Sequence, residues 1–253
     1  MILTKQQEEI LSGFLIPIHA AHYVNAESIE EWEKTNRLYY SSDNFKDAKK
    51  LINTNPSIDA VFQQTLSAME KDKGKFLSDR IHAIKTVLAN NKFDKLGCVL
   101  PNAEYNKVKG DTILELYRGV RSAKEIDDFK YNDFYIGEHL SGNGMYFTTD
   151  YFLALTYAHN VPKHVMRVKI DLSELYVVDG SIVEVAMFTE PNVKEWFHLF
   201  GNVGNYAAAK NIEAVRRVEE FGTDVYFILN RSKIIIEQDV TDITDFIRFL
   251  TAK

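Results

Sequence analysis

Residues 141–158 read SGNGMYFTTDYFLALTYA, and this stretch predicts a strand that is followed directly by a helix. Tyr146 falls on the predicted strand, and Tyr157, eleven positions later, falls on the predicted helix. One aromatic ring from each element could lie on either side of a flat, positively charged ring, because aromatic faces attract cations. The alternative is that both tyrosines are core aromatics. The spacing therefore predicts a site for a planar cation.

A second motif lies upstream, where residues 113–118 (ILELYR) predict a strand that ends in Arg118 and is followed by Gly119. The guanidinium fork of an arginine suits phosphate and sugar oxygens. A glycine lets its backbone approach a ligand closely, because it has no Cβ atom. Alone, this pattern is more typical of a surface arginine at a strand end than of a binding site.

The 253-residue chain has the composition of a packed protein, with 45% hydrophobic residues, 16 Phe and 13 Tyr. Its net charge of −6 predicts no long-range attraction to nucleic acid or to an anionic membrane. Cys98 is the only cysteine in the sequence, so the chain cannot form an internal disulfide. The first residues show no signal-peptide pattern, and no apolar stretch reaches the length of a membrane span. These features predict a cytoplasmic protein with no membrane partner.

The pattern of the chain changes near residue 108. The earlier part carries helical periodicity, whereas the later part carries short, alternating segments that predict strands. We therefore expect a helical N-terminal region at 1–108 and an α+β domain at 109–253. The predicted strands are 113–118, 164–170, 175–178, 214–218, 225–229 and 233–236, and helices are predicted at 151–159 and 206–211.

In its two motifs the chain resembles the NAD-binding core of ADP-ribosyltransferases, in particular the branch of diphtheria toxin and the poly(ADP-ribose) polymerases. The resemblance covers about residues 113–237, roughly half of the chain. It implies split mixed β-sheets around an NAD cleft, with NAD as the co-substrate. The residues that the resemblance assigns to the NAD site are Arg118, Gly119, Gly142, Gly144, Tyr146, Phe147, Thr148 and Tyr157.

Two positions depart from the polymerase pattern. Ala154 stands where that branch often has a serine that holds the carboxamide of nicotinamide. Val225 stands where the branch has its catalytic glutamate, so the resemblance leaves the acid open. Asp224 is the first candidate, Glu220 is the second, and Glu138 beside the glycine loop is the next. Substrate-assisted transfer without a protein carboxylate is a further alternative.

The resemblance implies an enzyme, a mono-ADP-ribosyltransferase like those among bacterial or phage toxins and phage-defence effectors. Such an enzyme transfers ADP-ribose from NAD to a protein or nucleic acid and releases nicotinamide, with Arg118 and the uncertain acid as its catalytic residues. One alternative is an NAD glycohydrolase, and another is a catalytically inactive fold that acts as a binding module. The N-terminal helices would then shield the cleft, bind the acceptor, or bind an antitoxin or chaperone.

Two weaker patterns have simpler interpretations. His19 and His22 are three positions apart but have no further ligand nearby in sequence, so we expect no metal. Four basic residues in or after the C-terminal hairpin could line a nucleic-acid track or form a solvated strand edge, and the net charge favours the edge. These residues are Arg216, Arg217, Arg231 and Lys233.

Overall fold

The computed structural model describes residues 42–53, 88–132, 145–189, 203–218 and 222–240. The helices in these ranges are α1 (Ser42–Asn53), α2 (Asn102–Tyr105), α3 (Ala123–Tyr131), α4 (Tyr151–Tyr157), α5 (Gly180–Thr189) and α6 (Val203–Ala209). The strands are β1 (Cys98–Leu100), β2 (Ile113–Gly119), β3 (Met145–Thr148), β4 (Val165–Asp171), β5 (Val177–Asp179), β6 (Ala214–Val218), β7 (Asp224–Ile228) and β8 (Ile235–Glu237). Short 3-10 helices precede β4 and β8, at Pro162–His164 and Arg231–Lys233.

The chain forms two compact units. In the first unit the described elements are α1, α5 and α6, and α5 packs against both of the others. The side chain of Asn44 on α1 donates a hydrogen bond to the hydroxyl of Ser181 on α5 at 2.8 Å. Lys210, just after α6, donates to the carbonyl oxygen of Ile52 at 3.2 Å, close to the end of α1. Such a contact satisfies a carbonyl that helix geometry leaves without an intrahelical partner.

The second unit contains the strands β1-β8-β4-β2-β3-β7-β6, in that order, of a mixed sheet whose eighth strand, β5, has only Val177 in this unit. β1 pairs in parallel with β8, whereas the β2–β4, β2–β3, β3–β7, β4–β8 and β6–β7 pairs are antiparallel. This confirms the predicted α+β class with a mixed sheet. β1 and α2 belong to this unit, so it begins before the predicted boundary at residue 109.

The join between β2 and β3 is short. β2 pairs with β4 along its whole length, from Ile113 to Gly119. Toward β3 its register contains one pair, Tyr117 with Thr148. The structure therefore has one eight-stranded sheet with a narrow join in its middle, whereas the resemblance implied split sheets.

Alternation along the strands gives the sheet two different faces. One face carries the main apolar core of the unit, which contains Leu116, Phe147, Val168, Tyr226 and Ile236. On the other face, α4 packs against β2 through a smaller cluster of Ala154, Ala158 and Val165, to which Tyr117 and Tyr151 add their rings. Among the described residues, no helix combines the length and the hydropathy needed to cross a membrane.

The predicted strands are present, with shifted ends. The strand predicted at 175–178 is observed at Val177–Asp179, and the one predicted at 233–236 is observed at Ile235–Glu237. The second shift has a local cause, because the side chain of Asn230 accepts a hydrogen bond from the amide of Ser232 and starts a 3-10 turn. The helix predicted at 206–211 is observed at Val203–Ala209.

Candidate functional site

Gly119, at the end of β2, lies directly under α4. A Cβ atom added to Gly119 would lie 1.9 Å from the carbonyl oxygen of Ala154 and 2.7 Å from the amide nitrogen of Ala158. Both distances are far below van der Waals contact, so any side chain at this position would push the helix away. The helix can come this close because Ala154 and Ala158, four residues apart, present small side chains to the strand.

The start of α4 is determined locally by Asp150. Its Oδ1 accepts hydrogen bonds from the amides of Phe152 at 2.7 Å and Leu153 at 3.2 Å, which is the geometry of an N-cap. Thr148 supports the same turn, because its hydroxyl accepts a hydrogen bond from the amide of Asp150 at 3.0 Å. The turn from β3 into α4 is therefore held by side chains of the motif itself.

Tyr157 is the last residue of α4 and has 68% of its surface exposed. The next residue, Ala158, is the one whose amide nitrogen approaches Gly119. The exposed ring therefore belongs to the end of α4 that meets the end of β2. This exposure rules out one alternative raised by the sequence, namely that Tyr157 is a core aromatic.

Arg118 bridges the narrow join of the sheet. Its Nη1 donates a hydrogen bond to the carbonyl oxygen of Tyr146 on β3 at 3.1 Å. Tyr146 is half-buried, and its ring centroid lies 4.6 Å from that of Phe227 on β7. Arg118 thus contacts the backbone of Tyr146, although its side chain starts from the core face, because Arg118 pairs with Met166 of the main core. Gly119, next in sequence, lies on the other face and brings in α4. The structure assembles the two sequence motifs around residues 118–119.

The register decides which residues share the face that carries α4. Tyr117 pairs with Thr148, and Thr148 pairs with Val225 on β7. Residues paired directly across strands point to the same side, and residues two apart along a strand do too. The α4 face therefore carries Tyr146 and Thr148 on β3, the strand at the join, and Val225 on the next strand, β7.

Asp224 lies on the other face. As the neighbour of Val225 along β7 it points to the opposite side of the sheet. Its Oδ1 accepts hydrogen bonds from Nε and Nη2 of Arg216 on β6, at 3.0 and 2.9 Å. The structure thus does not bring the first-choice acid to the side of Tyr146, because alternation along the strand places Val225 there.

Phe147 also points away from this face. It is 1% exposed, and its ring packs in the main core against Phe129 with centroids 5.9 Å apart. Phe147 is therefore a core residue that anchors β3, and its side chain does not face the expected NAD site. The remaining predicted site residues, Gly142, Gly144 and Glu220, lie outside the described residues, as does Glu138.

Sequence reasoning missed a cluster of buried charges on the α4 face. Arg167 on β4 donates to Glu115 Oε2 at 3.1 Å and to Glu237 Oε1 at 3.0 Å. Lys169 donates to the carbonyl oxygens of Tyr105 and Val108, both at 2.9 Å. Burial lowers the pKa of Lys169, and the negative charge of Glu115 offsets only part of this lowering. We call Tyr105, Glu115, Tyr117, Arg167, Lys169 and Glu237 the charge cluster.

A local signal for this cluster was present in the sequence. Strict alternation in β4 places Arg167 and Lys169 on one face, and Glu115 and Tyr117 alternate in the same way in β2. Two basic residues on the same face of a strand are expected to have acidic partners when the neighbouring strand is partly buried. The distant partner, Glu237, could not be found in this way, because its pairing depends on β8 lying beside β4.

The basic residues of the hairpin mostly make contacts within the protein. Arg231 is buried and donates to the carbonyl oxygens of Phe129 and Asn132. Arg216 pairs with Asp224, and Lys233 lies 3.5 Å from Glu174. A side chain held in this way is not available to follow a phosphate backbone, which favours the structural interpretation of these residues over a nucleic-acid track.

Within the described ranges, no group of three or more histidine, cysteine or acidic side chains is placed to hold a metal ion. Comparisons of the chain with protein-family models, with curated proteins and with solved structures give no significant match.

Proposed function

We propose that this chain is a mono-ADP-ribosyltransferase of the toxin or effector type, which transfers ADP-ribose from NAD to a macromolecular acceptor and releases nicotinamide. The observation that carries the proposal is the meeting of the two motifs: Arg118 contacts Tyr146 across the sheet join, and Gly119 contacts the end of α4 that bears Tyr157. The proposal is supported because residues that are 28 or more positions apart along the chain come into contact in the fold.

Each of these residues has a role in the proposed chemistry. The exposed ring of Tyr157 and the half-buried ring of Tyr146 offer faces for the nicotinamide cation. The backbone of Gly119 can hydrogen-bond the carboxamide because no Cβ blocks it. Arg118, whose side chain starts from the opposite face and reaches the Tyr146 carbonyl at the join, would bind ribose and phosphate oxygens at that edge. Cleavage of the nicotinamide–ribose bond develops positive charge on the sugar, and electrostatic stabilisation of that charge is the task of an anionic group.

The identity of the anionic group decides between the proposed transferase and a second candidate function. Val225 lies on the face of Tyr146 and Thr148, at the position where the resemblance predicts a glutamate. A site with this valine and without another carboxylate would either bind NAD or ADP-ribose and leave it intact, or depend on substrate-assisted transfer. The valine therefore favours a binding module as the second candidate, whereas Glu220 remains the predicted acid if the chain is a transferase.

Incubation with NAD labelled in its adenosine half, in the presence of a cell lysate, tests the proposal. A transferase places label on macromolecules, and digestion of the product with protease or nuclease then identifies the acceptor as protein or nucleic acid. A glycohydrolase instead yields free labelled ADP-ribose. Intact NAD, with saturable binding to the purified chain, would support the binding module and refute the proposed transfer.

Tyr157 provides a test of the nicotinamide-binding role with little effect on folding, because its side chain is largely exposed. Replacement by alanine should weaken NAD binding about tenfold, whereas replacement by phenylalanine should leave it nearly unchanged, since the stacking face is kept. Equilibrium titration with NAD measures both variants, and thermal unfolding checks that their stabilities match. Equal losses in the two variants would contradict stacking as the role of this ring.

Asp224 provides a test of the acid. Because its carboxylate pairs with Arg216 on the opposite face, Asp224→Asn should leave the rate of nicotinamide release within about twofold of wild type. It should cost at most about 1 kcal/mol of stability, since the pair is partly exposed. Glu220→Gln is the matched variant, and it should slow the release. If Asp224→Asn instead slows release at unchanged NAD affinity, the acid is Asp224 after all.

A further inference from the structure

Tyr117 contacts both the charge cluster and helix α4. Its hydroxyl donates a hydrogen bond to Glu115 Oε1 at 2.7 Å, which makes it a member of the charge cluster. Its ring meets the ring of Tyr151 edge-on, with centroids 5.6 Å apart and an interplanar angle of 80°. Tyr151 is the first residue of α4. A single side chain therefore connects the charge cluster to the helix that lies on Gly119.

Within the charge cluster, Arg167 holds Glu115 by the carboxylate oxygen that Tyr117 does not contact. Arg167, which pairs with Tyr117 across β2 and β4, bonds Glu115 on one side and Glu237 on the other. The side chain of Glu237 is 1% exposed. A planar guanidinium between two carboxylates fixes their orientation, while a buried ion pair adds little net stability over apolar residues of similar volume. The arrangement therefore presents Glu115 Oε1 to Tyr117 in one orientation.

The surroundings of Tyr117 favour the protonated form of its hydroxyl near neutral pH. Burial raises the pKa of this phenol well above its usual range, and the hydrogen bond to Glu115 and the charge of Glu115 raise it further. The contact is thus a permanent donor–acceptor pair.

We propose that Tyr117 is a positioning residue that, held by Glu115 and Arg167, sets the place of α4 on β2 and with it the place of Tyr157, the last residue of that helix. Its consequence for NAD rests on the proposed function, whereas the placement of α4 is a property of the chain without ligand. Tyr117 needs no contact with NAD for this role. Loss of its hydroxyl bond should move the helix and leave the Arg118–Tyr146 contact in place.

The first test uses Tyr117→Phe, which keeps the ring and removes the hydroxyl. Tyr105→Phe is the matched control, because the Tyr105 hydroxyl lies 3.5 Å from the same carboxylate but on α2. In hydrogen exchange, the α4 amides of Ala154 and Ala158 should exchange about tenfold faster in Tyr117→Phe and at the wild-type rate in Tyr105→Phe. The ladder amides between β2 and β4 should keep their protection in both variants. Unchanged exchange of α4, or equal acceleration across the sheet, would overturn the proposal.

The second test measures the KM and kcat of the NAD-dependent reaction. Tyr117→Phe should raise the KM for NAD about tenfold and leave kcat within about twofold, because misplacement of a binding ring weakens binding before it affects the chemical step. Loosening of α4 with an unchanged KM would refute the positioning role. If wild-type protein neither binds NAD nor releases nicotinamide, the proposed function fails, and the exchange of the α4 amides still decides the role of Tyr117.

Discussion

Replacement of Gly119 by alanine is expected to lower the free energy of unfolding by about 3 kcal/mol and to remove NAD-dependent activity. The added Cβ would meet the carbonyl oxygen of Ala154 and the amide nitrogen of Ala158, which are backbone atoms. No side-chain rotation can relieve such contacts, so α4 has to move away from β2. Chemical unfolding measures the first effect, and nicotinamide release measures the second.

Gly110→Ala is the control for Gly119→Ala. Its added Cβ would lie 3.3 Å from a side-chain carbon of Ile113, at an exposed position before β2, where the neighbour can yield. We expect a change of about 0.5 kcal/mol or less. Equal stabilities for the two variants would mean that α4 does not lie on Gly119, and both the proposed site and the positioning role of Tyr117 would lose their basis.

Replacement of Arg167 by methionine is expected to lower the free energy of unfolding by about 3–5 kcal/mol, because it leaves buried carboxylates without their cation. Glu237 accounts for most of this cost, since its side chain is almost fully buried beside the guanidinium. A loss of this size is a large part of the stability of a typical domain, about 5–15 kcal/mol. Denaturant titration at neutral pH measures it.

Two further variants show whether the loss comes from burial of charge. Arg216→Met breaks an ion pair whose arginine side chain is 45% exposed, and it should cost about 1 kcal/mol or less. Combining Arg167→Met with Glu237→Gln should recover part of the loss, because the remaining group is neutral. Equal losses in Arg167→Met and Arg216→Met, or no recovery in the double variant, would contradict this explanation.

Local signals account for the elements that the sequence predicted well. β4 was predicted because apolar and polar residues alternate almost strictly over residues 164–170, and its observed bounds are Val165–Asp171. α4 begins where Asp150 can cap it, so its start depends on neighbours in sequence. The predicted turn of strand into helix around Tyr146 and Tyr157 is confirmed for the same reason.

Some local signals were present but were not used. α3 was not predicted, although Ser122 and Glu125 have the spacing of a capping box. The Ser122 hydroxyl accepts a hydrogen bond from the Glu125 amide, as an N-cap does, and donates one to the Glu125 carboxylate. β1 could not be predicted from its own residues. It is only Cys98–Leu100, and it exists as a strand because β8 supplies a parallel partner for it.

The amino-acid sequence by itself determined which of the longer segments form strands, where α4 begins, and that Tyr146 and Tyr157 sit on consecutive elements. These properties follow from periodicity and capping, which act over a few residues. Tertiary structure alone decided that Val225 and not Asp224 shares the face of Tyr146, that Gly119 lies under Ala154, and that Arg167 holds both Glu115 and Glu237. The reason is that strand register joins residues far apart in the chain, and a shift of one residue exchanges the two faces of a strand.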